Sequence, residues 1–167
     1  FMREETRVQR YKKKLEKASF LPISLVTVEF ELDCNLGLVV RSAACFGVKT
    51  VHVIGHKPNY RKLRETSGST SLFVDVQQHS SPAEFLKWQR GKGKLVSLEL
   101  TEDAKPLYEF SPQEETFLVV GHETHGVPVE ILKNSDAVYY VPMPGLGFCL
   151  NTALASHLAL YEIRRNK

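Results

Sequence analysis

The chain has 167 residues, of which 43% are hydrophobic and 25% charged, and its net charge is +3 at pH 7. A chain of this length can bury a core of its own, so the composition indicates a globular domain and excludes a disordered or fibrous protein. No apolar run is long enough to cross a bilayer, and the first residues do not follow the pattern of a secretory signal. We therefore expect no membrane partner.

The opening segment is dense in basic residues. Residues 7–17 read RVQRYKKKLEK, and we predict a short basic extension or helix over 1–20, followed by a single domain over 21–167. A second basic cluster follows the second predicted strand. Both clusters are compatible with phosphate binding and with an ordinary solvated surface, and the sequence leaves the two open. The candidate residues for binding a nucleic acid through its phosphates are Arg7, Lys12, Lys13, Lys14, Arg61 and Arg64.

Six short runs rich in Val, Leu, Phe and Tyr predict strands. They cover residues 24–32, 50–54, 71–77, 94–100, 116–121 and 137–141. Helical patterns lie between them, at 36–44, 82–89 and 127–134, and a longer one ends the chain with Leu150, Leu154, Leu158 and Tyr161 on one stripe. Strands that alternate with helices predict an α/β fold, with a largely parallel six-stranded sheet covered by helices on both faces.

Ligands of an open parallel sheet bind at the carboxyl ends of the strands, so the loops at that edge are the first candidates for a site. The first is DCNLGLVVRSAACFG, residues 33–47, where Asp33 or Asn35 is expected to cap a helix. At about 100° per residue, Arg41 points away from the apolar stripe of this helix. The stretch alone is compatible with a solvent-exposed arginine and with a functional one.

The second loop is VVGHETHGVPVEIL, residues 119–132. Gly121 ends a buried strand, so Glu123 is held in a tight turn at the working edge. The spacing H-E-x-H of His122, Glu123 and His125 does not match the four-residue separation that places two zinc ligands on one helical face. We therefore expect no metal.

The third loop is VPMPGLGFCLNTALASHLALYE, residues 141–162. Two prolines and two glycines exclude regular structure between the last strand and the last helix. The helix that follows carries Ala153, Ala155, Ser156 and Ala159, and small residues allow it to pack closely against a sheet, a loop or another chain. A tight turn before a well-packed terminal helix explains this stretch equally well when it is considered alone.

Considered together, the three loops resemble the SpoU/TrmH family of RNA methyltransferases. The pattern N-x-G-x-x-x-R at 35–41 resembles the first family motif, and G-x-E-x-x-G at 121–126 resembles the second. PM-x-G at 142–145, L-N at 150–151 and Y-E at 161–162 resemble the third. The motifs occur in the family order and cover the chain from about residue 25 to its end.

This resemblance implies a fold, a cofactor and an assembly. The family fold ends in a deep trefoil knot, in which the loop from Val141 to Leu150 would take part, and the cofactor is S-adenosylmethionine. The last helix would pack against its copy in a homodimer. The resemblance places the cofactor on three loops, and the candidate residues are Leu98, Glu99, Leu100, Gly121, His122, Val141, Met143 and Leu150.

The resemblance also implies the reaction, which is methyl transfer to a ribose 2′-hydroxyl of structured RNA, either tRNA or rRNA. Arg41 would handle the hydroxyl, by clamping the adjacent phosphate and orienting the ribose, because a guanidinium stays protonated and is a poor base. Asn35 would hydrogen-bond Arg41 or the substrate. Glu123 and Asn151 would orient the site and fix the loops.

One departure from the family pattern leaves two alternatives open. Many members carry serine directly before Leu-Asn in the third motif, whereas this chain has Cys149, whose thiol is a weaker hydrogen-bonding group. One alternative is therefore a knotted RNA-binding module without catalysis. The other is a knotted methyltransferase that modifies a base, which the N-x-G-x-x-x-R motif disfavours. A dehydrogenase is disfavoured because no G-x-G-x-x-G follows the first strand.

The cysteines indicate a compartment. Cys34, Cys45 and Cys149 are odd in number and show no C-x-x-C spacing, so they are expected to be reduced thiols. Reduced thiols are typical of the cytoplasm, where we expect the protein to act.

Overall fold

A seven-stranded sheet in which every pair of neighbours is parallel forms the centre of the protein. The computed structural model describes residues 6–147 and 149–167, except for the side chains of Arg7, Val8 and Asp33. The strand order is β3-β2-β1-β6-β4-β7-β5. The strands are β1 (Ile23–Val28), β2 (Thr50–Ile54), β3 (Asp75–His79), β4 (Lys94–Leu98), β5 (Lys105–Pro106), β6 (Thr116–Val120) and β7 (Ala137–Tyr140).

The predicted α/β class and parallel sheet are confirmed, but the predicted number of six strands is wrong. The additional strand is β5, which has two residues and pairs with the end of β7 at the sheet edge. Two residues are too few to show any periodicity in a sequence. The third predicted strand also begins later than expected, because Gly68–Phe73 form a 3₁₀ helix in which Leu72 and Phe73 are exposed.

Helices cover both faces of the sheet. On one face α2 packs against both α3 and α6, and on the other face α4 packs against α5. The side chain of Tyr11 connects α1 to the 3₁₀ helix, since its hydroxyl lies 3.0 Å from Ser69 Oγ. The helices are α1 (Arg7–Glu16), α2 (Asp33–Phe46), α3 (Tyr60–Ser67), α4 (Pro82–Gln89), α5 (Val129–Asn134) and α6 (Thr152–Arg165).

The last helix turns its small residues inward and its large ones outward. Ala153, Ser156 and Ala159 are buried, which lets α6 lie close to α2 and to the sheet. Leu154 and Leu158, on the stripe that the sequence shows, are 56% and 41% exposed. The predicted helix is therefore present, but its apolar stripe faces away from the core.

A pair of buried histidines lies beneath α4. His52 Nδ1 and His79 Nε2 are 3.0 Å apart, and the rings of Phe85 and Trp88 pack around them. Burial, followed by the neighbouring His79, lowers the pKa of His52 from 6.5 to about 4. Burial also lowers the pKa of His79. Both rings are therefore neutral at pH 7, and one of the two nitrogens that face each other accepts a hydrogen bond from the other.

We expect this pair to make the protein less stable in mild acid. The lowered pKa values mean that the unfolded chain binds protons below pH 6.5 while the folded protein does not, so stability falls as the pH drops from 6.5 towards 4. His52 alone accounts for about 2 kcal/mol between pH 7.5 and pH 5. Urea unfolding at several pH values measures this. The double variant His52→Gln/His79→Gln should lose most of the slope, whereas His56→Gln, at an exposed histidine, should keep it; a flat wild-type profile would contradict the prediction.

Helices of membrane-spanning length and apolarity are absent from the part of the chain that the structure describes.

Candidate functional site

The carboxyl ends of β1 and β6 form a crevice at the centre of the sheet. The two strands are neighbours, but β1 continues into α2 on one face of the sheet and β6 leads to α5 on the other. Their loops therefore diverge and leave space between them, which is the position where open parallel sheets bind ligands. Both strands are buried throughout and give the loops a rigid base.

Three side chains from distant parts of the chain are joined by hydrogen bonds in this crevice. The Asn35 amide donates to the carboxylate of Glu123, and the Asn151 amide donates to Asn35 Oδ1 over 3.2 Å. Asn151 Oδ1 in turn accepts from the backbone N–H groups at the start of α6, so this residue also caps the helix. We call Asn35, Glu123 and Asn151 the polar triad. It connects the ends of β1 and β6 to the beginning of α6.

The structure shows a different start for α2 from the one predicted. The helix begins at Asp33, and Leu32 precedes it without a side-chain cap, so the prediction that Asn35 caps the helix is wrong. The alternative cap, the side chain of Asp33, lies outside the described residues. The Asn35 side chain lies within the first turn and is buried, at 2% exposure. The backbone N–H of Glu31 instead donates to Glu123 Oε2 over 3.1 Å. A carboxylate at this position also complements the positive end of the helix dipole.

Glu123 is held as a carboxylate. Partial burial raises its pKa, but hydrogen bonds from its own backbone N–H and from the Asn35 amide oppose this effect. Hydrogen bonds from the backbone N–H groups of Glu31 and Leu32 also lower the pKa of Glu123, which therefore lies below its ordinary value. Glu123 is therefore an acceptor that orders its neighbours, rather than an acid that can supply a proton at neutral pH.

The loop after β6 turns back on itself. His122 and Gly126 exchange two backbone hydrogen bonds of 3.0 Å, and a Cβ atom on Gly121 would lie 2.5 Å from the backbone carbon of Gly126. Only glycine fits at 121 for this reason. Glu99 Oε2 accepts from the backbone N–H of Val127 over 2.8 Å, so the loop after β4 is fastened to this turn.

A cavity of about 130 Å³ lies beside the crevice, at the carboxyl ends of β4 and β7. Six of the eight residues predicted for the cofactor line it, whereas Gly121 and His122 do not; Gly121 contacts α6 instead, through a hydrogen bond from Thr152 Oγ1 to its carbonyl. Tyr140, Cys149 and Ala155 also line the cavity and were not predicted. Tyr140 ends β7, so the strand-end rule could have found it, but Ala155 shows no signal in sequence. The predicted residues that line the cavity are Leu98, Glu99, Leu100, Val141, Met143 and Leu150.

Arg41 is not joined to the polar triad. Its side chain is exposed on α2, as its angular position predicts, and among the described residues no hydrogen bond or ion pair involves its guanidinium. Asn35 binds Glu123 and Asn151 and not Arg41 among the described residues, whereas a hydrogen bond from Asn35 to the substrate stays a prediction. The next residue, Ser42, lies 3.0 Å from His157 Nδ1 on α6, which places Arg41 beside the α2–α6 seam.

The predicted RNA-binding residues lie on two helices that the 3₁₀ helix connects. Those on α1 are Lys12, Lys13 and Lys14, and those on α3 are Arg61 and Arg64; all five are exposed. Arg61 Nε is 3.1 Å from Glu65 Oε1 in an exposed ion pair. The side chain of Arg7 lies outside the described residues.

The described residues hold no group of three His, Cys, Asp or Glu side chains that could bind a metal ion. The rings of His122 and His125 contact each other in the loop after β6, with centroids 4.8 Å apart.

The fold and the site together define an α/β domain with a parallel sheet, a polar triad in the central crevice and a cavity beside it. A profile of the SpoU rRNA Methylase family matches residues 22–161. The chain belongs to this family, and the resemblance that the three motifs indicate is confirmed.

Individual relatives carry more specific names. The chain is 26% identical over 134 residues to the tRNA (guanosine(18)-2'-O)-methyltransferase of Escherichia coli K12, covering 80% of this chain and 58% of the relative. It is 26% identical to the tRNA (cytidine(34)-2'-O)-methyltransferase of Ancylobacter novellus, covering 87% of this chain and 93% of that one. The chain thus spans little more than half of the first relative and nearly all of the second.

Among solved structures, the SpoU methyltransferase AviRb of Streptomyces viridochromogenes, in complex with AdoMet, has a similar fold. The TM-score is 0.75 at 28% identity, over 88% of this chain and 60% of that one.

Proposed function

We propose that this protein transfers a methyl group from S-adenosylmethionine to a ribose 2′-hydroxyl of RNA. The observation that supports this most is the polar triad, which combines one residue from each of the three family motifs in the central crevice, beside a cavity. Two relatives are named for methylating tRNA, at guanosine 18 and at cytidine 34. We therefore propose a structured RNA, tRNA or rRNA, as the substrate.

The cavity suits part of an adenosyl cofactor. Leu98, Val141 and Leu150 offer apolar contacts, and the irregular backbone from 141 to 147 leaves carbonyl and N–H groups free of strand pairing. Apolar walls with a few polar backbone groups are typical of small-molecule sites. When bound, S-adenosylmethionine supplies an activated methyl group on sulfur, and the sulfur keeps the bonding electron pair as the methyl leaves. Gly121 and His122 would complete the site from the neighbouring loop.

The residues of this chain would position the oxygen and stabilise charge rather than remove a proton. Glu123 is engaged by several donors, and a guanidinium holds its proton, so neither is a strong base. Arg41 would clamp a phosphate next to the reactive ribose, in the bidentate geometry that guanidinium groups favour. Asn35 and Asn151 keep Glu123 and the start of α6 in place. The proton of the hydroxyl would leave to solvent as the new C–O bond forms.

A carboxyl-terminal knot is part of the proposal. Strand β7 pairs between β4 and β5, and the chain then passes through the irregular segments 141–147 and 149–151 into α6. This helix contacts β6 and the 3₁₀ helix Leu107–Glu109 that follows β5. Because β7 lies between two strands that precede it in the chain, the arrangement supports a knot in which the end of the chain is threaded through an earlier loop. Such threading would bring the cavity loop and the polar triad together in one unit, although knots are rare in proteins.

We also propose that the protein forms a homodimer through α6. The outward stripe of this helix places large apolar residues in solvent beside the exposed Leu150. An apolar stripe that is exposed in one chain indicates a protein–protein interface.

The dimer should dissociate when this stripe is charged. The variant Leu154→Glu is expected to shift sedimentation velocity from dimer to monomer, because a carboxylate in an apolar interface loses its hydration without a partner. Leu72→Glu, at a more exposed leucine away from α6, is the control and should remain dimeric. A wild-type protein that sediments as a monomer at about 50 μM would contradict the assignment, since stable interfaces bind more tightly than this.

The reactivity of a cysteine can be used to test the proposed cofactor site. Cys149 lines the cavity, whereas Cys45 is exposed at the far end of α2. We expect S-adenosylmethionine to protect Cys149 from a maleimide, with at least a roughly 10-fold slower reaction at a cofactor concentration of about ten times Kd. Cys45 should react at the same rate with and without cofactor. Mass spectrometry of peptides measures both rates in one sample, and equal protection of the two thiols, or of neither, would argue against this site.

The reaction itself is tested with labelled cofactor and total cellular RNA. Transfer of label to RNA, followed by digestion and mass spectrometry of the nucleosides, is expected to yield 2′-O-methylnucleosides. A methylated base would instead support the base-directed alternative. Cofactor binding without any transfer would support a non-catalytic RNA-binding module, for which Cys149 in place of serine is the sequence argument.

We also propose that the protein acts in the cytoplasm, because its cysteines are compatible with a reducing compartment. All three cysteines are free and exposed, as is usual in a reducing compartment.

A further inference from the structure

A second cavity lies at the opposite end of α2 from the polar triad. It has a volume of about 180 Å³ and is enclosed by α1, the carboxyl end of α2 and the 3₁₀ helix of residues 68–73. Three aromatic side chains line it, Tyr11, Phe20 and Phe73. Phe20 and Phe73 are 53% and 44% exposed, so these rings are not part of the hydrophobic core. The proposed methyl transfer site does not account for this cavity.

Two of the three rings contact each other. Tyr11 and Phe73 contact each other, with centroids 5.4 Å apart, and the Tyr11 hydroxyl holds α1 to the 3₁₀ helix. Phe20 comes from the segment that leads into β1 and lines the cavity without a ring contact to either, so far as the described residues show. A flat ligand that enters this cavity would contact aromatic side chains.

The charges around the cavity are positive. Lys14 lines it, and Lys49 Nζ lies 4.3 Å from the centroid of the Phe20 ring. No acidic side chain is among the described lining residues. Lys12 and Lys13 continue the positive surface along α1 and are exposed. The combination of aromatic faces and lysines favours a ligand that is flat, partly apolar and joined to negative charge.

We infer that this cavity binds an unpaired base of an RNA, with the neighbouring phosphates at Lys14 and Lys49. Proteins bind single-stranded nucleotides by stacking the bases on aromatic side chains inside a basic surface, and this mode tolerates any base. The inference rests on the proposed function in that RNA is taken as the substrate. Between Asn35 and Cys45, α2 rises about 15 Å, so the base would be held a few nucleotides from the reacting ribose.

A short single-stranded RNA that contains 2-aminopurine tests the inference, because stacking quenches the fluorescence of this base. The wild type is expected to quench it on binding. Phe73→Ala and Phe20→Ala should each weaken binding about 10-fold, the usual loss for one stacking partner. Leu72→Ala is the matched control, because Leu72 is the exposed neighbour of Phe73 and does not line the cavity. Phe73→Trp should restore both binding and quenching.

Two variants guard against an indirect effect. Phe73→Ala could loosen α1 through the lost contact with Tyr11, whereas Phe20→Ala leaves that contact intact. Thermal unfolding of each variant shows that it is folded. The inference is overturned if Phe20→Ala and Phe73→Ala bind the oligonucleotide as Leu72→Ala does. It is also overturned if they change only the sedimentation of the protein, which would make the cavity a contact between copies of the chain.

The same variants separate this inference from the proposed function. In the methylation assay, Phe73→Ala should raise KM for RNA about 10-fold and leave kcat and the affinity for S-adenosylmethionine unchanged. If the wild type methylates no RNA but the oligonucleotide still needs Phe20 and Phe73, the proposed function fails and the base-binding cavity stands. If the wild type methylates RNA with a KM that neither substitution changes, the cavity is not a base-binding site and the proposed function stands.

Discussion

Replacing Arg41 by alanine is expected to lower the rate of methyl transfer about 1000-fold while leaving cofactor binding unchanged. The magnitude corresponds to the loss of one preorganised charged group at the reacting centre. Stability should change little, because the side chain is exposed and makes no contact with the polar triad among the described residues. Single-turnover methylation of RNA and calorimetric titration with S-adenosylmethionine measure the two quantities.

Two control variants define what Arg41 does. Arg41→Lys keeps the charge but not the planar pair of donors, so it should recover only a small part of the rate if the guanidinium binds a phosphate in bidentate geometry. Arg90→Ala removes an exposed arginine after α4, on the other side of the sheet, and should leave the rate unchanged. Full activity in Arg41→Ala would show that the exposed position of this residue reflects an ordinary surface arginine.

Replacing Glu123 by alanine is expected to reduce both activity and stability. The Asn35 amide would lose its acceptor in a position that is 2% exposed, and the backbone N–H of Glu31 would lose its partner. A buried donor without an acceptor costs about 1–3 kcal/mol. Because the triad also holds the start of α6, we expect methylation to fall about 100-fold, which is the effect of a misplaced reacting group. Urea unfolding and the methylation assay measure the two changes.

Glu123→Gln removes the charge and one of the two acceptor oxygens. The amide oxygen can still accept from Asn35, but the amide NH2 would then face the backbone N–H of Glu31. Only part of the stability should therefore return, and the lost negative charge no longer favours the start of α2. Glu102→Ala, at an exposed carboxylate outside the crevice, should change neither quantity. If Glu123→Ala were as stable as Glu102→Ala, the triad would not hold the loops together.

Most of the strands and helices could be predicted from the sequence because the residues that they bury form recognisable apolar patterns. The buried strands β1 and β6 are short runs rich in Val, Leu, Ile and Phe, and Pro82 begins α4 as its place in the sequence predicts. The α/β class therefore follows from pattern alone. The two-residue β5 does not, since its register depends on a neighbour that is far away along the chain.

The contacts within the site are harder to predict from local sequence patterns. Asn35 appears in the sequence to be a helix cap, and only the approach of Glu123 from 88 residues away explains why it is buried in the first turn instead. The outward stripe of α6 looks like a core face for the same reason, because periodicity shows that one side of a helix is apolar but not what covers it. The three motifs placed the triad residues in one site, but the bonds between them come from the fold.

The pairing of β1 with β6 has a consequence for how the protein is made. Leu25 lies opposite Leu118, so the middle of the sheet joins segments more than half of the chain apart. Pairing two strands that are this distant requires the chain to close a large loop. The loop closure costs conformational entropy before any stabilising contact forms, and this slows folding. On the ribosome, the crevice cannot exist until β6 has emerged, and the triad is incomplete until Asn151 follows. During synthesis the apolar strand β1 therefore waits without its central partner, so chaperone binding to nascent chains should peak before residue 120 is released and fall after it.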